Sequence, residues 1–254
     1  MNIVALVKLA PDLVEEITVD ASGAALDTAS LRLIINESDD HALEQSILLK
    51  EHGEANVSVV APDMEGVDDV LYTAAAKGVD KLIKLCGDFA EGVNNHALAR
   101  AAAPIIKELK PDLILTGVQA NDDLDGPVGP LLAEYLGMPY VGYVAGVTVT
   151  GGKASVGKEY PGGLTAKMEV ALPAVIGIQA AEQPPRYVAV SKVRQAMKSA
   201  AIEEQSVADL DSSGNVSVTR MFQPEAAGRA VMFDGEAEAV AEKLVSVLKE
   251  AGVL

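Results

Sequence analysis

Short, continuous apolar runs alternate along this chain with longer segments in which apolar residues recur every three or four positions. Asn2 to Val7 is the first run, ended by Lys8 and Pro11, and its lack of a polar face predicts a parallel strand buried on both sides. EITVD with a turn at Ser22-Gly23 then predicts a small hairpin. From Glu37 to His52 the positions Ala42, Leu43, Ile47, Leu48 and Leu49 recur at helical spacing. The strand NVSVVA, a helix from Gly66 to Lys77, the strand DKLIKL, an Ala-rich helix from Asn94 to Leu109 and the strand DLILTG follow. Strands alternating with helices of this length predict an α/β fold, Rossmann-like, with a parallel sheet covered on both faces. Ligands of such sheets gather at the carboxyl ends of the strands, where the strand order reverses.

After Gly137 the pattern changes. TVTGGKASVGKEY and GGLTAKMEVAL predict a small antiparallel excursion with glycine turns, and AVIGIQ a further buried strand. Residues 181–235 carry Pro184, Pro185 and Pro224 and little periodicity, so they are expected to lie over another surface rather than form their own core. Val240, Leu244, Val247 and Leu248 share one face of a final helix over 237–251, ended by Gly252. The expected division is a nucleotide-binding domain over 1–185 and an extended C-terminal arm, ending in that helix, over 186–254.

The loop after DLILTG is the first candidate site. Asn121, Asp123 and Asp125 leading into Gly126 have the opening cadence of a calcium loop, but the twelfth position is Leu132 where a bidentate Glu is needed, and a strand precedes it. Its other reading is a nucleotide loop, in which Gly126 and Gly129 permit close approach and a helix beginning near Pro130 offers N–H groups to a phosphate. Asp122, Asp123 and Asp125 suit ribose hydroxyls or helix capping better than phosphate. From the residues alone a solvated acidic turn is an equal alternative.

Composition narrows the classes. Hydrophobic residues are 49% and aromatics 4% of 254 residues, so the core is aliphatic, and a net charge of -17 excludes the clustered cations that nucleic acid or an anionic membrane needs. Cys86 is the sole cysteine, which removes any intrachain disulfide and fits a reducing cytoplasm. The apolar start has no basic leader or cleavage site, and no run is long enough to span a bilayer. GxxxxGK[ST], GxGxxG and GxSxG are absent. His41, His52 and His96 lack ligand spacing, and Cys86 reads as a strand-end residue. With no nucleophile or acid–base pair in view, a carrier or binding protein is expected.

ALVKLAPD, INESDDHALEQSILLKE, AAAKGVDKLIKL, PDLILTGVQANDD, EYPGGLTAKMEVALPAVIGIQ and PPRYVAV, in this order, resemble the beta subunit of electron transfer flavoprotein over essentially the whole chain. The resemblance implies an adenine nucleotide hydrolase-like domain, an alpha-subunit partner holding FAD, and one AMP buried in this chain. It assigns cofactor binding to Leu6, Asn36, Ala61, Pro62, Asp63 and Met64, and to the loop residues Gly117, Gln119, Ala120, Asn121, Asp122, Asp123, Asp125, Gly126, Pro127, Val128 and Gly129. Leu13 and Ser38 match a flavin wall that is commonly aromatic. In PRYVAVSKVRQAMK, Val190 matches an apolar anchor for a flavin-containing dehydrogenase, with Lys192 and Arg194 beside it; a quinone oxidoreductase or similar acceptor is the implied downstream partner.

Departures are local. Gly126-Pro127 replace a polar pair such as Asn-Gln, and Pro127 has no N–H to donate. Pro161 and Thr165 stand where the family prefers acids or an amide. Val128-Gly129-Pro130 matches the electron-bifurcating members, which carry a second FAD in place of AMP, but Leu124 and Asp125 do not, so the ordinary single-FAD type is expected. The other alternative is a stand-alone ATP-binding stress-type protein of this fold, for which the Gly-rich phosphate signature is missing.

Overall fold

A computed structural model describes residues 1–29, 31–89, 94–123, 126–207, 210–211, 213, 218–224, 228 and 230–254. In chain order the elements are β1 (Asn2–Leu6), β2 (Leu9–Pro11), β3 (Leu33–Ile35), α1 (Glu37–His52), β4 (Asn56–Pro62), α2 (Val67–Lys77), β5 (Lys81–Cys86), α3 (Asn95–Glu108), β6 (Leu113–Gly117) and α4 (Val128–Leu136). Then come β7 (Tyr140–Thr150), β8 (Lys153–Tyr160), β9 (Leu164–Ala171), β10 (Ala174–Ala180), α5 (Val190–Ser199), β11 (Ile202–Ser206) and α6 (Ala237–Glu250). The main sheet runs β11-β5-β4-β1-β6-β10-β7-β8-β9, parallel up to β7 and antiparallel beyond it, while β2 and β3 form a separate ribbon. The α/β architecture and the antiparallel excursion of the sequence reading are both present.

Alternation along β1 divides the core. Ile3, Ala5 and Val7 pack with α1 and α2 residues such as Leu43 and Leu71, whereas Val4 and Leu6 pack with Leu98 of α3 and Leu132 of α4. The chain steps outward from β1 to β4 and β5, then crosses back through α3 to β6 on the other side of β1. The strand order therefore reverses between β1 and β6, and a crevice opens past their carboxyl ends.

The sheet continues beyond residue 185. α5 packs on α2 with Ala196 as its buried residue, and β11 pairs in parallel with β5, Ile202 opposite Leu82. Residues 181–235 gave no periodic signal because an edge strand is carried by its backbone ladder. Here Glu203 and Glu204 contribute ion pairs to Lys81 and Lys84. α6 has no buried residue, and Leu244, Val245 and Val247 are exposed. No helix among the described residues is long and apolar enough to cross a membrane.

One carboxylate holds the reversal point together. Asp39, in the first turn of α1, accepts the N–H of Lys8 just past β1 at 2.9 Å and the N–H of Gly117, the last residue of β6, at 2.8 Å. A Cβ at position 117 would collide with the Asp39 carboxylate and with the α1 backbone, which accounts for the glycine. Asp39 is fully buried, and burial pushes its carboxyl up to about 6 against the opposing pull of the two backbone donors and the Lys8 ammonium. A rise of about two units makes the ionised group cost about 3 kcal/mol at neutral pH.

The sign of the pH effect follows. From about pH 4 to 6 the folded state keeps a proton that the unfolded chain has released, so this group's contribution to stability falls as pH rises through that window. Asp39→Asn removes the titration. The stability of the wild type relative to this variant is therefore expected to decline between about pH 4 and 6, by about 2 kcal/mol, in unfolding curves recorded across the range. A pH-independent difference would show that Asp39 is not buried as an ionising group.

Candidate functional site

The crevice beyond β1 and β6 is walled by the apolar side chains of Leu6, Leu98 and Val128 and by Asn36, Asp39, Gln119 and Asp123. Each wall has a local cause. Asn36 is held at the start of α1 by its own N–H donating to Lys8 O, and its Nδ2 donates to Gln119 O at 3.0 Å, pinning the loop that leaves β6. Lys8 Nζ reaches across to Asp122 Oδ1 at 2.9 Å and Asp123 Oδ2 at 2.7 Å. Asp123 also accepts from Asn95 Nδ2 at 2.7 Å and from Ala120 N at 3.0 Å. Burial alone would pull the Lys8 ammonium down, but the two carboxylates outweigh it and hold it above its ordinary value. The acidic loop is thus closed on a buried cation and is not a bare cluster of negative charge.

The opposite wall is the N-terminus of α4. Pro127 occupies its cap position and provides no capping side chain, and the first turn holds no acidic residue. Val128 and Gly129 lie where helical N–H groups have no partner within their own helix, and Pro130 has no N–H. An anion set there meets two amide donors and the positive end of the helix dipole. Among the described residues two side-chain oxygens, Asn95 Oδ1 and Thr116 Oγ1, are buried with no hydrogen-bond partner. Asn95 is not in the crevice lining but is fastened through its Nδ2 to Asp123, which is, and its orphaned acceptor costs about 1–3 kcal/mol. An apolar floor and amide donors at a helix start are the chemistry that a mononucleotide such as AMP would use, while the crevice itself encloses only about 10 Å³.

Of the residues expected from sequence, Leu6, Asn36, Gly117, Gln119, Ala120, Asp123, Gly126 and Val128 come together around the crevice. Asp122 joins through Lys8, and Pro127 and Gly129 stand at the start of α4. Asn121 and Leu13 line a neighbouring cavity of about 140 Å³ with Asn36, beneath the β2–β3 ribbon; Ser38 is half-buried in the first turn of α1. Ala61, Pro62, Asp63 and Met64 are not in the crevice lining: Ala61 and Pro62 end β4, one strand beyond β1, and Asp63 and Met64 follow it. Leu124 and Asp125 lie outside the described residues. Gly126, with φ +55°, and Gly129 do make close approaches, but to the protein. Side chains there would strike Val118 O and the Tyr140 ring, respectively.

Lys8, Asp39, Leu98 and Asn95 escaped the sequence reading. Lys8 ends the first apolar run in the sequence, and Asp39 is one of three acids in the first turn of α1, where an acid already complements the helix dipole and so does not stand out. Their pairing with groups 31 to 115 positions away leaves no local trace.

Val190, Lys192 and Arg194 stand on α5, away from the crevice lining, and are exposed. Tyr187 and Met197 are exposed on the same segment.

Comparison with known proteins agrees with this architecture. The electron transfer flavoprotein domain matches residues 24–210. The electron transfer flavoprotein subunit beta of Methylophilus methylotrophus is 32% identical, with 98% of each chain covered. That of Syntrophomonas wolfei is 34% identical over 98% of this chain and 97% of the relative, and that of Clostridium acetobutylicum is 31% identical over 98% of both. With the domain match spanning most of its length and full-length relatives above 30% identity, the chain belongs to the electron transfer flavoprotein family, among the beta subunits.

Proposed function

We propose that this chain is the beta half of a cytoplasmic electron transfer flavoprotein heterodimer, holding one structural AMP in the crevice past β1 and β6. FAD is held mainly by the alpha subunit. The observation that supports the nucleotide most directly is the uncapped start of α4 at a crevice with an apolar floor. In this reading Val128 and Gly129 donate to phosphate, the Leu6–Leu98–Val128 floor takes the base, and Lys8 keeps Asp122 and Asp123 from repelling the anion. The flavin, when bound, supplies the one- and two-electron chemistry. Leu13 and Ser38 form this chain's share of the flavin wall, aliphatic and small where an aromatic pair would stack.

Electrons pass from a flavin-containing dehydrogenase to a quinone oxidoreductase or similar acceptor, and the chain itself turns over no substrate. Docking of the donor falls to α5. Val190 is 59% exposed at its first position, with Lys192 and Arg194 in the following turn, in a chain that is otherwise strongly acidic. An apolar anchor ringed by charge suits a transient partner. Within residues 186–254, α5 and β11 pack on the nucleotide-binding domain, and the part beyond β11 acts as the arm that lies on the alpha subunit, with the exposed apolar face of α6 as its main contact.

Denaturing the co-expressed heterodimer is expected to release AMP and FAD in equal amounts, read by chromatography of the supernatant. Two FAD and no AMP would instead make it an electron-bifurcating protein, the reading favoured by Val128-Gly129-Pro130. Expressed without its partner, the chain is expected to lose α6 and the segment before it to protease and to aggregate. A monodisperse, protease-resistant full-length monomer would contradict the arm assignment. Val190→Ala is expected to slow electron transfer from the dehydrogenase about tenfold at subsaturating concentration, the loss of roughly 1–2 kcal/mol of anchoring, with FAD and AMP content unchanged. Unaltered transfer rates would move the docking site elsewhere.

A further inference from the structure

Helix α1 buries an unusual set of polar side chains. Glu44 is 1% exposed and Gln45 fully buried, in the middle of a helix that runs beside the sheet. A buried carboxylate is expensive unless it is paired and hydrogen-bonded. Both groups are satisfied by one short stretch of chain, residues 181–186, that connects β10 to the turn before α5. Ala181 N–H donates to His41 Nδ1 at 3.2 Å and Glu182 N–H to Gln45 Oε1 at 3.0 Å. Gln45 Nε2 in turn donates to Val147 O at 3.0 Å, so the glutamine is itself fixed. Arg186 N–H donates to Glu44 Oε2 at 3.0 Å and Arg186 Nε to Glu44 Oε1 at 2.8 Å. The rest of its guanidinium forks onto Glu51 at 2.6 and 3.0 Å.

His41, Glu44, Gln45 and Glu51 thus form a rail along α1. The strap laid on it includes Pro184 and Pro185, which have no N–H and a fixed φ, so it is stiff and its next N–H after them is the one Glu44 captures. Immediately beyond the clamp the chain turns outward: Tyr187 is 87% exposed, and Val190 begins α5 three residues later. The other end of α5 is tied by β11 to the sheet edge.

We infer that Glu44 and Arg186 are positioning residues for electron transfer: their buried clamp fixes the turn from Tyr187 to Val190 against α1, the same helix whose first turn carries Asn36 and Asp39 at the crevice. The inference rests on the docking role proposed for Val190. Without the clamp the turn keeps its residues but loses its place, and the partner must order it on binding.

The test uses the co-expressed heterodimer and the fastest donor among a panel of purified flavin dehydrogenases, each reduced by its own substrate. Glu44→Gln keeps the volume and removes the charge. Hydrogen exchange is expected to speed up at 182–190 and to stay unchanged in β1 and β6. The half-saturating concentration for the donor is expected to rise about tenfold with the maximal rate and the FAD and AMP contents unchanged. Arg186→Lys, which keeps the charge and loses the fork, is expected to fall between. Combined with Val190→Ala, Glu44→Gln should add little, because both act on one contact. Should Glu44→Gln not assemble, the Glu44→Met/Arg186→Met pair removes the clamp without orphaning a charge. Exposed strap amides with an unchanged half-saturating concentration, or fully additive losses, would overturn the clamp's role while leaving docking at Val190 intact. Normal transfer by Val190→Ala alone would overturn the docking reading and the clamp with it.

Discussion

The two hydrogen bonds that Asp39 accepts from Lys8 and Gly117 are the constraint on which the rest of the site depends. In a doubly wound sheet the two central strands pair side by side, here up to Leu6 opposite Thr116, but the ladder does not fix where the chains go beyond it. A carboxylate from the helix that follows β1 does so here, drawing both chain exits onto the start of α1. Lys8 is thereby aimed over the crevice at the loop carboxylates, and Gln119 is left within reach of Asn36. The ionised carboxyl in a fully buried place is costly, and its partners being backbone N–H groups explains why it is tolerated: charge-assisted bonds to two fixed donors offset part of the desolvation.

Helix α1 carries this role along its length. Most core helices of α/β proteins bury one stripe and expose the other, yet α1 buries nine residues, among them Asp39, Glu44, Gln45 and Ser46. The sheet covers one side of it, and the β7–β8 excursion and the 181–186 strap cover others. Its polar side chains bind backbone groups of three other parts of the chain: Asp39 at the crevice, Gln45 on β7 and Glu44 on the strap. A rigid helix with both ends committed in this way fixes the distance between the crevice and α5.

The fold was largely legible in the sequence. Buried parallel strands are apolar on both faces, so Asn2–Leu6, Leu113–Gly117 and Ala174–Ala180 stand out, and α1 was recovered residue for residue. Legibility failed where structure is carried by backbone pairing or by long-range polar contacts. β11, with the sequence IEEQS, has no apolar stripe and exists as an edge because β5 offers it a ladder. Much of the crevice lining could be named from the family resemblance, but Lys8 and Asp39 could not, since a strand-end lysine and a first-turn aspartate each have a sufficient local explanation. Gly126 and Gly129 were noticed for the right property, close approach, and the structure assigns it to Val118 and Tyr140.

The same long-range pairing resolves the electrostatic contradiction in the loop. Read in isolation, Asp122 and Asp123 would repel a phosphate, and the loop resembles a cation site. In the folded chain each carboxylate sits against Lys8 Nζ, and Asp123 is further held by Asn95 and the Ala120 amide. Two carboxylates sharing one ammonium leave about one negative charge. Their acceptor oxygens are turned inward to the cation, while the uncapped start of α4 presents a fractional positive charge of roughly half a unit from the other side. An anion at the start of α4 would therefore have amide donors on one side and carboxylates already paired with Lys8 on the other. The acidity of the loop serves to hold its shape, and the field at the crevice is set by the helix end.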